Sequence, residues 1–180
     1  MILFSKNPAF DLEKWANCTS IEMGERKHKV IPSGWCSWYH YFASVSEKDI
    51  ISNLNWLKKH KEDLKLDYVV VDDGYEKSVG DWLEVNKKFP HGMKWIAEKI
   101  KEAGFKPGIW TAPFFAAKNS SVYKKHKNWF IKDKQGKPVV AGISPVWKTV
   151  LYALDCTNPE VENFLNTTFR TLSEWGYEFF

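Results

Sequence analysis

The chain has 180 residues, a formal net charge of +4, 44% hydrophobic residues and 27% charged residues. This composition excludes disordered and fibrous classes, and the length suits one ordinary domain but falls short of the about 250 residues of a complete large barrel. Lysines are interleaved with acidic residues, which disfavours a nucleic-acid site. No apolar run has membrane-spanning length, and the N-terminal MILFSKNPAFDLEKW is too weakly apolar for a signal peptide.

The cysteines and aromatic residues narrow the possible classes of protein further. Cys18, Cys36 and Cys156 are widely spaced and odd in number, without a CxxC motif or a nearby histidine pattern. A disulfide framework and a zinc site are therefore disfavoured, and we expect a reducing, cytoplasmic compartment. Ten Trp, seven Tyr and twelve Phe serve either a core or a sugar site, because the C–H faces of sugars stack on flat rings.

Short apolar strands alternate with amphipathic helices along the chain. GWCSWYHYF, residues 34–42, begins the first strand and the loop at its end. Ser46, with Asp49 three residues on, has capping-box spacing and predicts a helix to about His60. Residues 67–71 are the predicted second strand. The helix is expected to bury a stripe of apolar residues at helical intervals: Ile50, Leu54 and Leu57.

A second helix is predicted over residues 92–103, with Gly104 as its stop, and a third strand over 105–111. The polar stretch 117–147 reads as an excursion inserted between this strand and its helix, and KDKQGKP within it indicates a hairpin turn. The buried face of the second helix is predicted to consist of Met93, Ile96, Ala97 and Ile100.

The third helix has clear boundary signals. Asp155 and Thr157 are its candidate N-caps, Pro159 suits its first turn, and Gly176 ends it. Residues 177–180 read as the start of a fourth strand. The apolar face of the helix is predicted to comprise Val161, Phe164, Leu165, Thr168 and Leu172.

This alternation predicts parallel strands joined by right-handed crossovers, hence an α/β fold. No glycine-rich phosphate loop follows any strand, which disfavours an open nucleotide-binding sheet. Polar and aromatic residues instead follow the carboxyl ends of the strands, where barrel active sites lie. We therefore predict a truncated, partial (β/α)8 TIM barrel with about the first four strands and three helices.

The stretch VVVDDGYE runs a buried strand into two adjacent carboxylates, Asp72 and Asp73. They do not suit the acid and nucleophile of a glycosidase, because those carboxyls lie about 5 Å or more apart across a bond. A metal site with Glu76 as a third carboxylate lacks histidines and is the weaker alternative. Two alternatives remain: a grip on the hydroxyls of a neutral polyol, or one solvated aspartate and one that caps the turn.

The flanking aromatics favour the polyol interpretation. Trp38 and Tyr39 end strand one, and Trp110 ends strand three. The strands on both sides of the one that ends in Asp72 and Asp73 therefore place aromatic rings at the same edge of the predicted barrel. Rings around a carboxylate pair predict a sugar pocket.

Four further residues are weaker candidates. Trp82 and Trp147 lie in loops, where they either line an outer subsite or pack the loops down. His40 has no partner at a fixed spacing, which favours a buried or surface histidine without a catalytic role. Cys36 has no electropositive neighbour and reads as a small core residue rather than a nucleophile.

Six motifs, in this order and spacing, resemble the catalytic barrel of family 36 glycoside hydrolases, the melibiase-type α-galactosidases. They are GWCSWYHYF, VVDDGYE, GDWL, KFPHGM, GFKPGIWTAPF and LYALD. The resemblance covers about residues 30–180, the first half of the catalytic barrel. Residues 1–29 resemble the helical run-in from the N-terminal β-sandwich domain of that family, a domain we expect to be missing here.

The resemblance implies a retaining mechanism with an aspartate nucleophile on the fourth strand and an aspartate acid/base on the sixth. Both are expected beyond Phe180, so no catalytic residue is predicted within the chain. The paired aspartates of the family, which bind hydroxyls of the terminal galactose including the axial O4, map onto Asp72 and Asp73. Its aromatic galactose-site residues map onto Trp110, Trp38 and Tyr39.

We therefore expect a fragment, inactive by itself, of an enzyme that hydrolyses terminal α-galactosides of the melibiose or raffinose type. The resemblance implies no cofactor and no metal, and the full-length protein is a candidate homo-oligomer. Some relatives carry an arginine near the position of Trp147, which leaves the outer-subsite preference open. The alternatives are a galactosyl transferase of the raffinose-synthase type, a non-catalytic sugar-binding half-barrel, and a metal-dependent barrel enzyme.

Overall fold

The computed structural model describes residues 7–24 and 31–180. The chain divides into two compact units, residues 1–31 and 32–180. In the first unit, helix α1 (Pro8–Met23) begins where the Asn7 side chain accepts the Phe10 N–H at 3.3 Å and ends at Gly24, which is left-handed. None of the α1 residues is buried. The derivation of residues 1–29 from a preceding domain stays a prediction.

The second unit is built on a parallel sheet, as the strand-helix alternation predicts. Its strands are β1 (Gly34–Cys36), β2 (Tyr68–Val71) and β3 (Lys106–Ile109), with β2 in the middle. Phe179 forms an isolated parallel bridge with Gly108 of β3, within the residues 177–180 that are predicted to begin a fourth strand. Strand one is shorter than predicted, because the chain turns after Cys36 into the one-turn helix α2 (Trp38–Tyr41).

Two long helices cover this sheet, and their buried faces match the predicted stripes. Helix α3 (Glu47–Lys59) has the predicted capping box, in which Ser46 and Asp49 exchange hydrogen bonds. It is followed by the short α4 (Lys61–Leu64). Helix α5 (Gly92–Glu102) is followed by Gly104 at φ +86°. The buried residues of α3 and α5 are Ile50, Leu54, Leu57, Met93, Ile96, Ala97 and Ile100.

The segment between β3 and the last helix is more ordered than the predicted polar excursion. It forms an antiparallel sheet from β4 (Phe115–Ala117), β5 (Val140–Ser144) and β6 (Thr149–Ala153), in the order β4-β6-β5, and includes the short helix α6 (Ser121–Lys125). The predicted hairpin turn is confirmed: Gly136 N–H donates to Asp133 O at 3.0 Å. These strands were missed because they are three to five residues long and partly exposed.

Helix α7 (Pro159–Glu174) has a different N-cap from the two candidates. The side chain of Asn158 accepts the Glu160 N–H at 2.9 Å, so the predicted caps Asp155 and Thr157 were wrong. The Asp155 carboxylate instead accepts the N–H and hydroxyl of Thr157 in the preceding turn, which occupies both side chains. Of the predicted face, Val161, Thr168 and Leu172 are buried, whereas Phe164 and Leu165 are partly buried. Gly176 follows at φ +106°.

The described part of the chain is a mixed α/β structure with two apolar clusters, one around the parallel sheet and one around the antiparallel sheet. Among the helices in residues 7–24 and 31–180, none combines the length and apolarity that crossing a membrane requires.

Candidate functional site

The carboxyl end of β2 lies between the ends of its two neighbours. Ser37 N–H donates to Val70 O at 3.2 Å from the β1 side, and Trp110 N–H donates to Val71 O at 2.9 Å from the β3 side. Because these bonds bring the three strand ends level, Asp72 begins at the same edge as the residues that follow β1 and β3.

Asp72 is held by residues of the first strand and its loop. Its backbone N–H donates to the hydroxyl of the buried Ser37 at 2.9 Å. One carboxylate oxygen accepts the Asp73 N–H at 2.7 Å, and the other accepts the Cys36 thiol at 3.2 Å. Burial raises the pKa of Cys36 to about 11, so this thiol stays protonated and donates. Cys36 is therefore a hydrogen-bond donor to Asp72 rather than a thiolate nucleophile.

Gly74 lets the chain leave strand geometry at this point. Its φ is +116°, and a Cβ there would lie 2.6 Å from Ala43 O. Adjacent residues of a regular strand point to opposite faces, so a turn after Val71 is needed for Asp72 and Asp73 to line one pocket. The glycine makes that turn and permits close packing against the loop after α2.

Asp73 is the most buried acidic residue of the site, with 1% exposure. Its Oδ2 accepts the indole N–H of Trp147 at 2.6 Å. Its Oδ1 is also buried and accepts no hydrogen bond from the described residues. The neighbouring carboxyl group is that of Glu76, which is 7% exposed and whose Oε2 accepts the Gly74 N–H at 3.1 Å. Burial, followed by the adjacent Asp73, raises the pKa of Glu76 to about 8.

These residues border a pocket of about 310 Å³. The Asp72 and Asp73 residues line it together with tryptophans from three different segments, a combination that offers stacking faces and hydrogen-bond acceptors to a polyol. The lining consists of Trp38, Asp72, Asp73, Trp110, Ser144, Val146 and Trp147. A second cavity, of about 180 Å³, also touches Asp73 and contains the Glu76 and Lys88 side chains in its wall.

The structure brings most of the sequence-predicted residues together, but two lie elsewhere. Tyr39 is 87% exposed and outside the pocket lining, because successive residues of α2 point in different directions. Trp82 is 1% exposed and packs edge-on against Trp110, with ring centroids 5.9 Å apart. Trp82 therefore supports a pocket wall from within the core rather than lining an outer subsite. His40 is an exposed residue of α2 whose ring lies against Tyr41.

Sequence reasoning missed the supporting polar groups and the hairpin contribution. Ser37 lies in the stretch 34–42, where no local pattern indicates that its hydroxyl accepts the Asp72 N–H. Ser144 and Val146 come from an insertion without a periodic signal. In the part of the chain that the structure describes, no three His, Cys, Asp or Glu side chains converge in a way that could hold a metal ion.

Comparison with known proteins identifies the family. A sequence model of the Melibiase family matches residues 19–176. The chain belongs to the Melibiase family. Among solved structures, this melibiase-family chain is similar to an α-galactosidase from Thermus thermophilus in complex with p-nitrophenyl α-D-galactopyranoside. The two share 34% sequence identity and a TM-score of 0.79, over 86% of this chain and 31% of that one.

Curated relatives of this melibiase-family chain are also α-galactosidases. α-Galactosidase 2 of Pediococcus pentosaceus is 29% identical over 149 residues, which cover 79% of this chain and 19% of the relative. α-Galactosidase AgaA of Geobacillus stearothermophilus is 28% identical over 112 residues, which cover 58% and 14%. The chain thus spans less than one fifth of the length of either relative.

Proposed function

We propose that this chain is part of a retaining α-galactosidase and forms the galactose-binding wall of its active site. The observation that carries the proposal is the pair Asp72 and Asp73, placed at the carboxyl end of β2 in a pocket walled by Trp38 and Trp110. The similar protein from Thermus thermophilus is in complex with an aryl α-galactoside in one structure and with stachyose in another, which supports terminal α-galactosides as the substrate class.

The proposal assigns binding rather than bond cleavage to the paired aspartates. Both follow one strand, and the Asp72 carboxylate is already occupied by the Asp73 N–H and the Cys36 thiol. The nucleophile and the acid/base of a retaining glycosidase must approach the sugar from different directions. We place that pair on later strands of the same barrel, beyond Phe180, and we take the parallel sheet with Phe179 beside β3 as the first part of a (β/α)8 barrel.

The proposed reaction is hydrolysis. The relatives named above are α-galactosidases, so we do not propose galactosyl transfer of the raffinose-synthase type. A cytoplasmic location, a homo-oligomeric full-length protein and the independence from a metal stay predictions.

The test uses the full-length protein that contains this sequence. We expect turnover of p-nitrophenyl α-galactoside, unaffected by a chelator, and little turnover of the matching α-glucoside or N-acetylgalactosaminide. Asp73→Asn should raise KM about tenfold or more, because a charge-assisted hydrogen bond is worth about 1.5–3 kcal/mol. Asp63→Asn on the exposed α4 is the matched control and should leave KM unchanged.

Two outcomes would contradict the proposal. One is turnover restricted to the α-glucoside or the N-acetylgalactosaminide, which would refute the substrate class. The other is covalent labelling of Asp72 or Asp73 by a mechanism-based α-galactoside inactivator, because a binding residue does not form the glycosyl-enzyme intermediate.

A further inference from the structure

Asp73 and Glu76 form a pair of carboxyl groups that are both more than nine-tenths buried. The indole N–H of Trp147 donates to Asp73 Oδ2 at 2.6 Å, whereas Asp73 Oδ1 is buried without a donor among the described residues. A buried carboxylate oxygen without a donor is destabilising, because it has given up its hydrogen bonds to water. The packing around Asp73 therefore calls for one more O–H or N–H group.

Glu76 can supply that group. Its Oε2 accepts the Gly74 N–H at 3.1 Å, which leaves the other oxygen to carry a proton. Two neighbouring carboxyls in a buried site do not both ionise, because the second charge meets both the desolvation penalty and the repulsion of the first. Burial is the larger cause of the raised pKa of Glu76, about 8, and the hydrogen bond with Asp73 is the next. At neutral pH the proton thus stays on Glu76.

We propose that Glu76 is a positioning residue for the sugar-binding carboxylate: it remains protonated and donates a hydrogen bond to Asp73 Oδ1 while Trp147 donates to Oδ2. Asp73 is then held from two sides as a carboxylate, and its remaining lone pairs face the pocket. The inference rests on the proposed function where it takes Asp73 as a sugar-binding residue, but the location of the proton does not depend on that function.

The charged and titratable groups around Glu76 are Lys88, Tyr75 and Asp73. Lys88 lies in the wall of the same cavity, but its ammonium donates to Ala43 O at 2.6 Å, and its burial lowers its pKa. Tyr75 is fully buried beneath the pair, and burial raises its pKa, so its phenol stays neutral. Asp73 is the negative group that Glu76 faces.

Deprotonation of Glu76 would turn the hydrogen bond into repulsion between two carboxylates. The pKa of Glu76 is raised from 4.5 to about 8, so its contribution to stability is complete below pH 4.5 and is lost as the pH rises through about 8. Over the same upper range Asp73 loses a donor, and its affinity for the sugar should decrease.

The kinetic test measures KM for p-nitrophenyl α-galactoside between pH 6 and pH 9.5 in the full-length protein. In the wild type we expect KM to rise about tenfold across the upper part of this range, as one hydrogen bond to a charged group is lost. Glu76→Gln keeps a neutral donor, so KM should stay within about threefold of the pH 6 wild-type value and should not rise. Glu76→Ala should have a raised KM at every pH, with a smaller change in kcat.

The matched control is Glu84→Gln, which removes an exposed carboxylate from the same loop and should keep the wild-type pH dependence. The inference is overturned if KM of Glu76→Gln rises with pH as it does in the wild type.

A second readout is independent of turnover. The infrared spectrum of the wild type at pH 6.5, minus that of Glu76→Gln, should contain the C=O stretching band of a protonated carboxylic acid, and the band should vanish by pH 9.5. If Glu76→Gln does not fold, the same titration is followed in the wild type alone with 13C-labelled glutamate. An absent band refutes the Glu76 inference. A band in a protein that does not hydrolyse α-galactosides refutes the proposed function and leaves the proton assignment intact.

Discussion

The parallel sheet and the antiparallel sheet both contribute residues to the same pocket, but the strands of the parallel sheet are more deeply buried. Val69, Val71 and Ile109 of the parallel sheet are fully buried, and this sheet places Asp72 and Asp73. In the antiparallel sheet, β5 exposes 52% of Val140 and 78% of Ile143, and the turn beyond it carries Trp147. The charges of the site thus come from the more deeply buried region, whereas an aromatic wall comes from a less buried hairpin.

Several hydrogen bonds join these regions, and aspartate side chains accept three of them. The indole of Trp147 donates to Asp73, and the Asp81 carboxylate, in the loop after β2, accepts the backbone N–H groups of Ser121 and Val122 at 2.8 and 3.0 Å. Asp81 is buried, and its bond to Val122 lies in the interior, whereas its bond to Ser121 is partly buried. The site is therefore sensitive to both regions, and substitutions can separate their contributions.

The largest effect is expected for Gly74→Ala, which disrupts the parallel-sheet side. The backbone at φ +116° disfavours a side chain by about 1–3 kcal/mol. The contact of 2.6 Å with Ala43 O adds overpacking of a similar size. The midpoint temperature of thermal unfolding should therefore fall strongly, and KM should rise strongly. Gly136→Ala, at φ +77° with open space around it, is the control and should cost much less. Equal losses for the two variants would show that Ala43 yields without cost.

Asp81→Ala should loosen the attachment of α6, and with it the antiparallel region, to the loop after β2. One buried and one partly buried backbone N–H group lose their acceptor, and we expect about 2–3 kcal/mol of destabilisation. Limited trypsin digestion should cut faster after Lys132 and Lys134 in the hairpin turn, while peptides of α3 stay protected. Asp133→Ala, which weakens that turn directly, is the reference for local loosening. If α3 were cleaved as fast as the hairpin turn, the two regions would unfold together, which contradicts this prediction.

Trp147→Phe should weaken the link at the pocket while keeping an aromatic wall. The Asp73 carboxylate loses a charge-assisted hydrogen bond, so KM for the aryl α-galactoside should rise roughly tenfold. Trp56→Phe on the exposed side of α3 is the matched control. An unchanged KM would mean that the side chain at position 147 contributes only to the shape of the pocket and that its hydrogen bond to Asp73 does not affect binding.

The smallest effect concerns Cys36, on the parallel-sheet side. Its raised pKa, about 11, keeps it a thiol, and alkylation by iodoacetamide requires the thiolate. At pH 8, mass spectrometry should find Cys36 modified far more slowly than the exposed Cys156. Bound galactoside should slow it further. Rapid modification of Cys36 would indicate that the hydrogen bond to Asp72 is absent in solution.

Local patterns predicted the elements whose signals are contained in a few neighbouring residues. The Ser46–Asp49 capping box, the buried stripe of α5 and the Gly-containing turn at Gly136 all appear as expected. The cap of α7 was misassigned because Asp155, Thr157 and Asn158 are all suitable cap residues. Short, half-exposed strands such as β5 carry too few alternating residues to be recognised.

The sequence by itself determined that a parallel α/β sheet ends in two carboxylates with aromatic residues beside them, because strand ends and helix stripes are local and periodic. Tertiary structure decided which rings face the carboxylates: Trp147 enters from an insertion 74 residues away, whereas Trp82 is buried in the core. It also decided that Glu76 lies against Asp73. Such contacts depend on how distant segments pack and on the loss of water around them, and neither is written in local sequence spacing.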